Sequence, residues 1–169
     1  MKSDKTTDTQ LYIVNPNPQS VRVDIMLHRP TGTTPLRSET IAARGAYNPK
    51  LSGYGGSVSG GYVTVEVREQ LPVFAMEIFG TGASKAGLLA LDMTRPQSAL
   101  FAAQLASTQT VDTILNVINV GATAVDLTLE AYDESGSLVK TVKEPRLAAG
   151  QQYRKAASEI FSFGRDVIG

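Results

Sequence analysis

The chain of 169 residues has no cysteine, no tryptophan and a single histidine. Without cysteine there are no disulfides, no thiol nucleophile and no thiolate-held zinc or iron–sulfur centre. One histidine excludes a multi-histidine metal site and leaves the serines and threonines without a second imidazole for a relay. The missing tryptophan removes the largest aromatic platform for sugars. Neither sign of charge is in excess, since sixteen Lys and Arg balance sixteen Asp and Glu. Nucleic acids and anionic membrane surfaces attract a basic excess, so neither is an expected partner. No apolar run approaches the ~20 residues that span a bilayer, so membrane insertion is not expected. Residues 1–8 are polar and lack the apolar stretch of a signal peptide. Charged residues make up 19% and apolar residues 42%, with fifteen glycines and eight prolines. That mixture describes a globular chain rather than a disordered one.

What the sequence does carry is period-two alternation. Val21, Val23, Ile25 and Leu27 share one face, and Arg22, Asp24 and His28 share the other. Met26 is the exception. The pattern returns at Val63, Val65 and Val67, and again at Val125, Leu127 and Leu129. Each run reads as a half-buried strand, and Val23, Ile25, Val63, Val65, Leu127 and Leu129 are expected in the core. Residues 72–79 form a further apolar run that ends at Gly80. Turn residues punctuate these runs: Asn15-Pro16-Asn17-Pro18, then residues 29–32, Asn119-Val120-Gly121 and residues 133–136. Short alternating runs with frequent turns predict an all-β antiparallel sandwich. Residues 98–106 read as a strand and residues 155–161 as a single helical turn. The Gly-rich residues 53–61 read as a flexible linker loop, because they lack the spacing and following helix of a phosphate-binding loop.

The chain is also similar to itself. A shift of 104 positions lays residues 9–32 on residues 113–136 without a gap. Thr9, Leu11, Asn15, Val21 and Gly32 then meet Thr113, Leu115, Asn119, Val125 and Gly136 as identities, and His28 meets Tyr132. Residues 41–45 resemble residues 147–150 after a small insertion. The first copy continues through Tyr62 and Val63 to Leu91, whereas the second reaches only Val167, Ile168 and Gly169. The expected organisation is therefore a polar leader (1–8), a first module (9–97) and a second, C-terminally incomplete module (98–169).

The motif is Leu-x-x-x-Asn, alternating Val and Leu, a Gly turn, then Leu-Ala-x-Gly. It is carried by Leu11 to Asn15, Val21 to Leu27, Gly32, Ile41 to Gly45, Gly61 to Val67 and Pro72 to Gly80, and by Leu115 to Asn119, Val125 to Tyr132, Gly136 and Leu147 to Gly150. It resembles tandem Ig-like β-sandwich repeats of bacterial secreted and surface proteins. More distantly it is similar to the sensory rhodopsin transducer family, a small β-sandwich that oligomerises. The resemblance implies an antiparallel Ig-like β-sandwich of one and a half repeated modules. It also implies a non-catalytic role in adhesion, spacing or assembly at the cell surface or outside the cell. The alternatives are a soluble, cytoplasmic binding protein of the transducer type and a carbohydrate-binding module.

Candidate chemistry is sparse, and no catalytic residue, metal ligand or cofactor is expected. His28 stands alone at a strand end, on the solvent face. Asp133 and Glu134 share a turn, with Asp112 and Asp126 elsewhere, but calcium-loop spacing is absent. Glu66 and Glu77 fall on separate strands and are expected as outward charges rather than as a hydrolytic pair. Tyr47, Tyr54 and Tyr62 surround the Gly-rich loop and are the candidate ligand contacts, for a protein or glycan surface. Incomplete modules expose strand edges, so a homo-oligomer through unpaired edges is expected, with Leu100, Phe101 and Leu105 as candidate inter-chain contacts.

Overall fold

A computed structural model describes residues 2–3, 8–54, 58–81, 84–102, 105–163 and 167–168. The fold is nearly all β, with 53% strand and 6% helix, and its sheets are antiparallel. In chain order the strands are β1 (Lys2–Ser3), β2 (Asp8–Val14), β3 (Val21–Arg29), β4 (Gly32–Ile41), β5 (Ala46–Tyr47), β6 (Val58–Ser59), β7 (Tyr62–Val67), β8 (Phe74–Thr81) and β9 (Ser84–Leu89). There follow β10 (Ala106–Ser107), β11 (Ile114–Ile118), β12 (Val125–Tyr132), β13 (Leu138–Leu147), β14 (Gln152–Ala156), a helical turn α1 (Ala157–Phe161) and β15 (Val167–Ile168). The chain divides into two compact units, residues 1–91 and 92–169.

The first unit has a four-stranded sheet, β5-β2-β8-β9, and a three-stranded sheet, β4-β3-β7. The alternation in β3 sends Val21, Val23 and Ile25 inward, where they meet Leu11 and Ile13 of β2, with Ile41 and Leu51 closing the cluster. One apolar cluster thus joins both sheets in a sandwich-like arrangement. Val63 and Val65, expected in the core, pack half-buried against it. Full burial of an aliphatic side chain contributes about 1.5–3 kcal/mol each, which is what holds the two sheets together. Pro35 lies within β4, which pairs only with β3 among the described residues. An edge strand tolerates proline because its outer amides have no ladder to serve.

The described part of the Gly-rich region is more ordered than a linker, and residues 55–57 lie outside the described residues. Leu51–Tyr54 form a 3-10 turn that buries Leu51, and β6 pairs with β1. Gly61 has φ +88, and a Cβ there would lie 2.1 Å from the His28 carbonyl oxygen. Close approach of two backbones is the reason for glycine at that position. The leader is likewise structured in part: Lys2–Ser3 form β1, and Asp8 opens β2.

The second unit is built from pairs: β11-β14, β12-β13 and β10-β15. Its core is Ala131, Tyr153, Ala157, Ile160 and Phe161, with Leu115, Val117, Leu127 and Leu129 packed around it. The helical turn read from residues 155–161 is α1. Glu159 accepts a hydrogen bond from the Ala156 amide at 3.1 Å, and Ser162 ends the turn in the left-handed region at φ +46.

Residues 98–106 depart from the strand expectation. Of the described residues among them, only Ala106 lies in a strand. The segment has apolar residues but no alternation, so no face can be buried while the other stays wet. Leu100 is 64% and Phe101 92% exposed.

Candidate functional site

Tyr47 and Tyr54 come together, and their hydroxyls lie 3.2 Å apart. Both rings pack half-buried against the first core. Burial pushes the Tyr54 hydroxyl well above its ordinary value, with the Tyr47 hydroxyl adding to the effect. Tyr62 lies elsewhere, stacked on His28 with centroids 4.6 Å apart and planes 6° from parallel. His28 Nε2 lies 2.9 Å from Thr64 Oγ1, and Nδ1 lies 3.0 Å from Thr33 Oγ1. Both ring nitrogens therefore have hydroxyl partners on the two neighbouring strands. Such a histidine ties three strands at one end.

Asp24, Asp126 and Asp133 serve the backbone or a neighbouring cation. Asp24 takes Arg68 Nε at 2.6 Å and Nη2 at 3.1 Å, and the Ser38 hydroxyl also donates to it. Hydrogen bonds from Arg68, then from Ser38, hold its carboxyl below the usual range. Asp133 accepts from the Ser135 and Ser137 amides, each at 2.9 Å, and from Ser135 Oγ at 2.6 Å, which fixes its turn. Asp126 accepts from the Arg146 amide at 2.9 Å. Among the described residues, no group of three His, Asp or Glu converges as a metal site would require. Glu66 and Glu77 stand in different sheets. Glu66 is exposed as expected, but Glu77 is not an outward charge. It pairs with the core residue Leu11, hence faces inward and is half-buried. Burial raises its carboxyl above the ordinary value.

The most repeated chemistry is a frame that occurs in both units. Asn15, fully buried, donates from Nδ2 to the carbonyls of Gln19 at 2.8 Å, Ile41 at 3.2 Å and Ala42 at 3.0 Å. Its Oδ1 accepts from the Asn17 amide at 3.0 Å. Asn119 donates to Thr123 at 2.8 Å and Leu147 at 2.9 Å, and accepts from the Gly121 amide at 3.0 Å. Each asparagine thus ties the turn after its strand to the end of a distant strand. A second element of the frame is a latch. Asp8 accepts from Ser52 Oγ at 2.6 Å and from its amide at 3.2 Å. Asp112 accepts from the Ser158 hydroxyl, and from its amide at 3.3 Å. Asparagine and turn positions were visible in the self-similarity. The latch was missed, although Asp8 and Asp112 sit one place before the aligned stretch at the same spacing.

The units differ where strands cover the frame. In the first, β3 is flanked by β4 and β7, and β2 by β5 and β8. In the second, among the described residues, β12 pairs with β13 alone and β11 with β14 alone. Val21 is 0% exposed, whereas Val125 is 40% exposed. Leu127 and Leu129, expected in the core, are half-buried. The solvent face of β12 carries Asp126, Thr128, Glu130 and Tyr132, all exposed, and the Tyr132 hydroxyl donates to Glu130 at 2.7 Å. Leu105 packs against the second core, while Leu100 and Phe101 lie outside any strand.

No family model matches the chain, nor does any curated protein or solved structure.

Proposed function

We propose that the chain is a non-catalytic tandem β-sandwich module that spaces and assembles a larger structure through its strand edges. The observation that carries this reading is the twin frame of Asn15 with Asp8–Ser52 and Asn119 with Asp112–Ser158. Polar side chains are committed to closing the same turns and latches in both units, which is what a repeated mechanical unit requires. The resemblance to repeats of secreted and surface proteins supports a setting outside the cell.

Stretching the full chain between its ends tests the reading. Two separated rupture events are expected, the weaker from the second unit with its two-stranded pairings. A single event for the whole chain would overturn it, as would glycoside turnover that is lost in Glu77→Gln.

A further inference from the structure

The edge of β12 that carries no strand among the described residues has a counterpart whose occupant is known, because β3 carries β7 on the corresponding edge. The β3–β7 register sets His28 opposite Tyr62, Met26 opposite Thr64, Asp24 opposite Glu66 and Val23 opposite Val67. The Arg68 amide then donates to the Arg22 carbonyl at 3.0 Å. The 104-residue shift turns Arg22, Asp24, Met26 and His28 into Asp126, Thr128, Glu130 and Tyr132.

In that register, a strand like β7 laid on β12 sets its arginine opposite Asp126 and its threonine hydroxyl opposite Glu130. Its tyrosine falls opposite Tyr132, and its three valines meet Leu127, Leu129 and Ala131. The cation faces a carboxylate here, where in the first unit it stands opposite a second arginine and reaches to Asp24 instead. Cross-strand pairs of opposite charge and of aromatic rings favour such an addition. At each register shift in the ladder to β13 the extra residue lies on β13, so β12 itself runs unbroken from Val125 to Tyr132 as a stretch that a strand can follow.

We propose that the free edge of β12 accepts an added antiparallel strand of β7 chemistry. That strand is aromatic opposite Tyr132, apolar at alternate positions and cationic opposite Asp126. A second copy of the chain is not the natural donor: each copy holds one such strand, already paired with β3, so an exchange fills one edge by opening another. The occupant is a strand of that pattern from another polypeptide segment, bound by β-augmentation. This rests on the reading of the chain as an assembling module.

The test uses the full chain and a synthetic peptide with the sequence of residues 61–70. The proposal expects saturable binding, with slowed amide hydrogen exchange in residues 125–132. It further expects an Arg68→Glu peptide to bind about fivefold more weakly, the size of one reversed cross-strand charge pair. Asp126→Lys in the protein should restore the weakened peptide. The peptide change leaves the protein untouched, so weakened binding cannot reflect misfolding. Absent binding, indifference to the charge reversal, or protection confined to residues 21–29 through displacement of β7 would each overturn the proposal. Any of these with two rupture events intact removes the strand acceptor and leaves the spacer reading standing.

Discussion

Asn15 shows how much one side chain can organise. Its buried amide serves carbonyls at Gln19, Ile41 and Ala42, and the bond to Ile41 is itself buried. Asn15→Ala is expected to cost roughly 2–4 kcal/mol, because the buried Ile41 bond is lost together with two part-buried ones. Asn119→Ala, which loses two part-buried bonds, is expected to cost less, roughly 1–2 kcal/mol. Urea titration of both variants checks the order, and a reversed order would contradict the geometry. Glu77 is the opposite case, a charge on the core side of its strand. Its carboxyl in the folded chain lies above the ordinary 4.5 because burial disfavours the charged form. The folded state therefore holds the proton more tightly than the unfolded one. Glu77 favours folding below the unfolded value, and that contribution is lost as pH rises through the folded value. Glu77→Gln should then be more stable than the parent at about pH 7, with the gap closing toward about pH 4. Denaturant midpoints at both pH values decide this; equal midpoints at neutral pH would remove the burial argument.

Strands of equal pattern are not equal in burial. β3 and β12 share the alternation, but among the described residues β3 has neighbours on both edges and β12 on one. Ile25 is fully buried and Leu129 half-buried. Ile25→Ala should therefore cost roughly 2–4 kcal/mol through its cavity, and Leu129→Ala clearly less, since a half-exposed site refills with water. Thermal unfolding of the two variants gives the comparison; an equal loss would mean that β12 is covered as β3 is. The β3–β7 junction makes a second demand. Gly61→Ala sets a methyl against the His28 carbonyl and strains a positive φ, so the end of β7 must separate from β3. Faster amide exchange at His28 and Tyr62 is the expected sign.

At the scale of the whole chain, the exposed stretch that follows Leu91 is the weak point. Residues 92–102 form turns and irregular backbone with every side chain exposed, Phe101 most of all. Exposed irregular segments are where proteases cut first. Chymotrypsin under native conditions is expected to cleave after Phe101 before any site in the first unit. An initial cut within residues 21–29 would show instead that the first sandwich is the less stable part.

Alternation, turn residues and balanced charge were enough to read an antiparallel all-β chain, because a period of two is a local property of side chains on a strand. The same alternation marked Val23 and Ile25 as core, and α1 falls within residues 155–161, read as a single helical turn. The face of β8 was not legible in this way. Phe74, Met76 and Ile78 make its more apolar side, yet pairing with Leu11 and Ile13 turns Ala75 and Glu77 inward. Residues 98–106 misled because apolar content without alternation does not decide between strand and irregular chain. The latch from Asp8 to Ser52 joins residues far apart in sequence and needed the closed fold to appear. Which residues alternate and where the chain turns are local properties, written in the order of side chains. Which edge of each strand is covered depends on partners brought from far along the chain, and local pattern does not encode them.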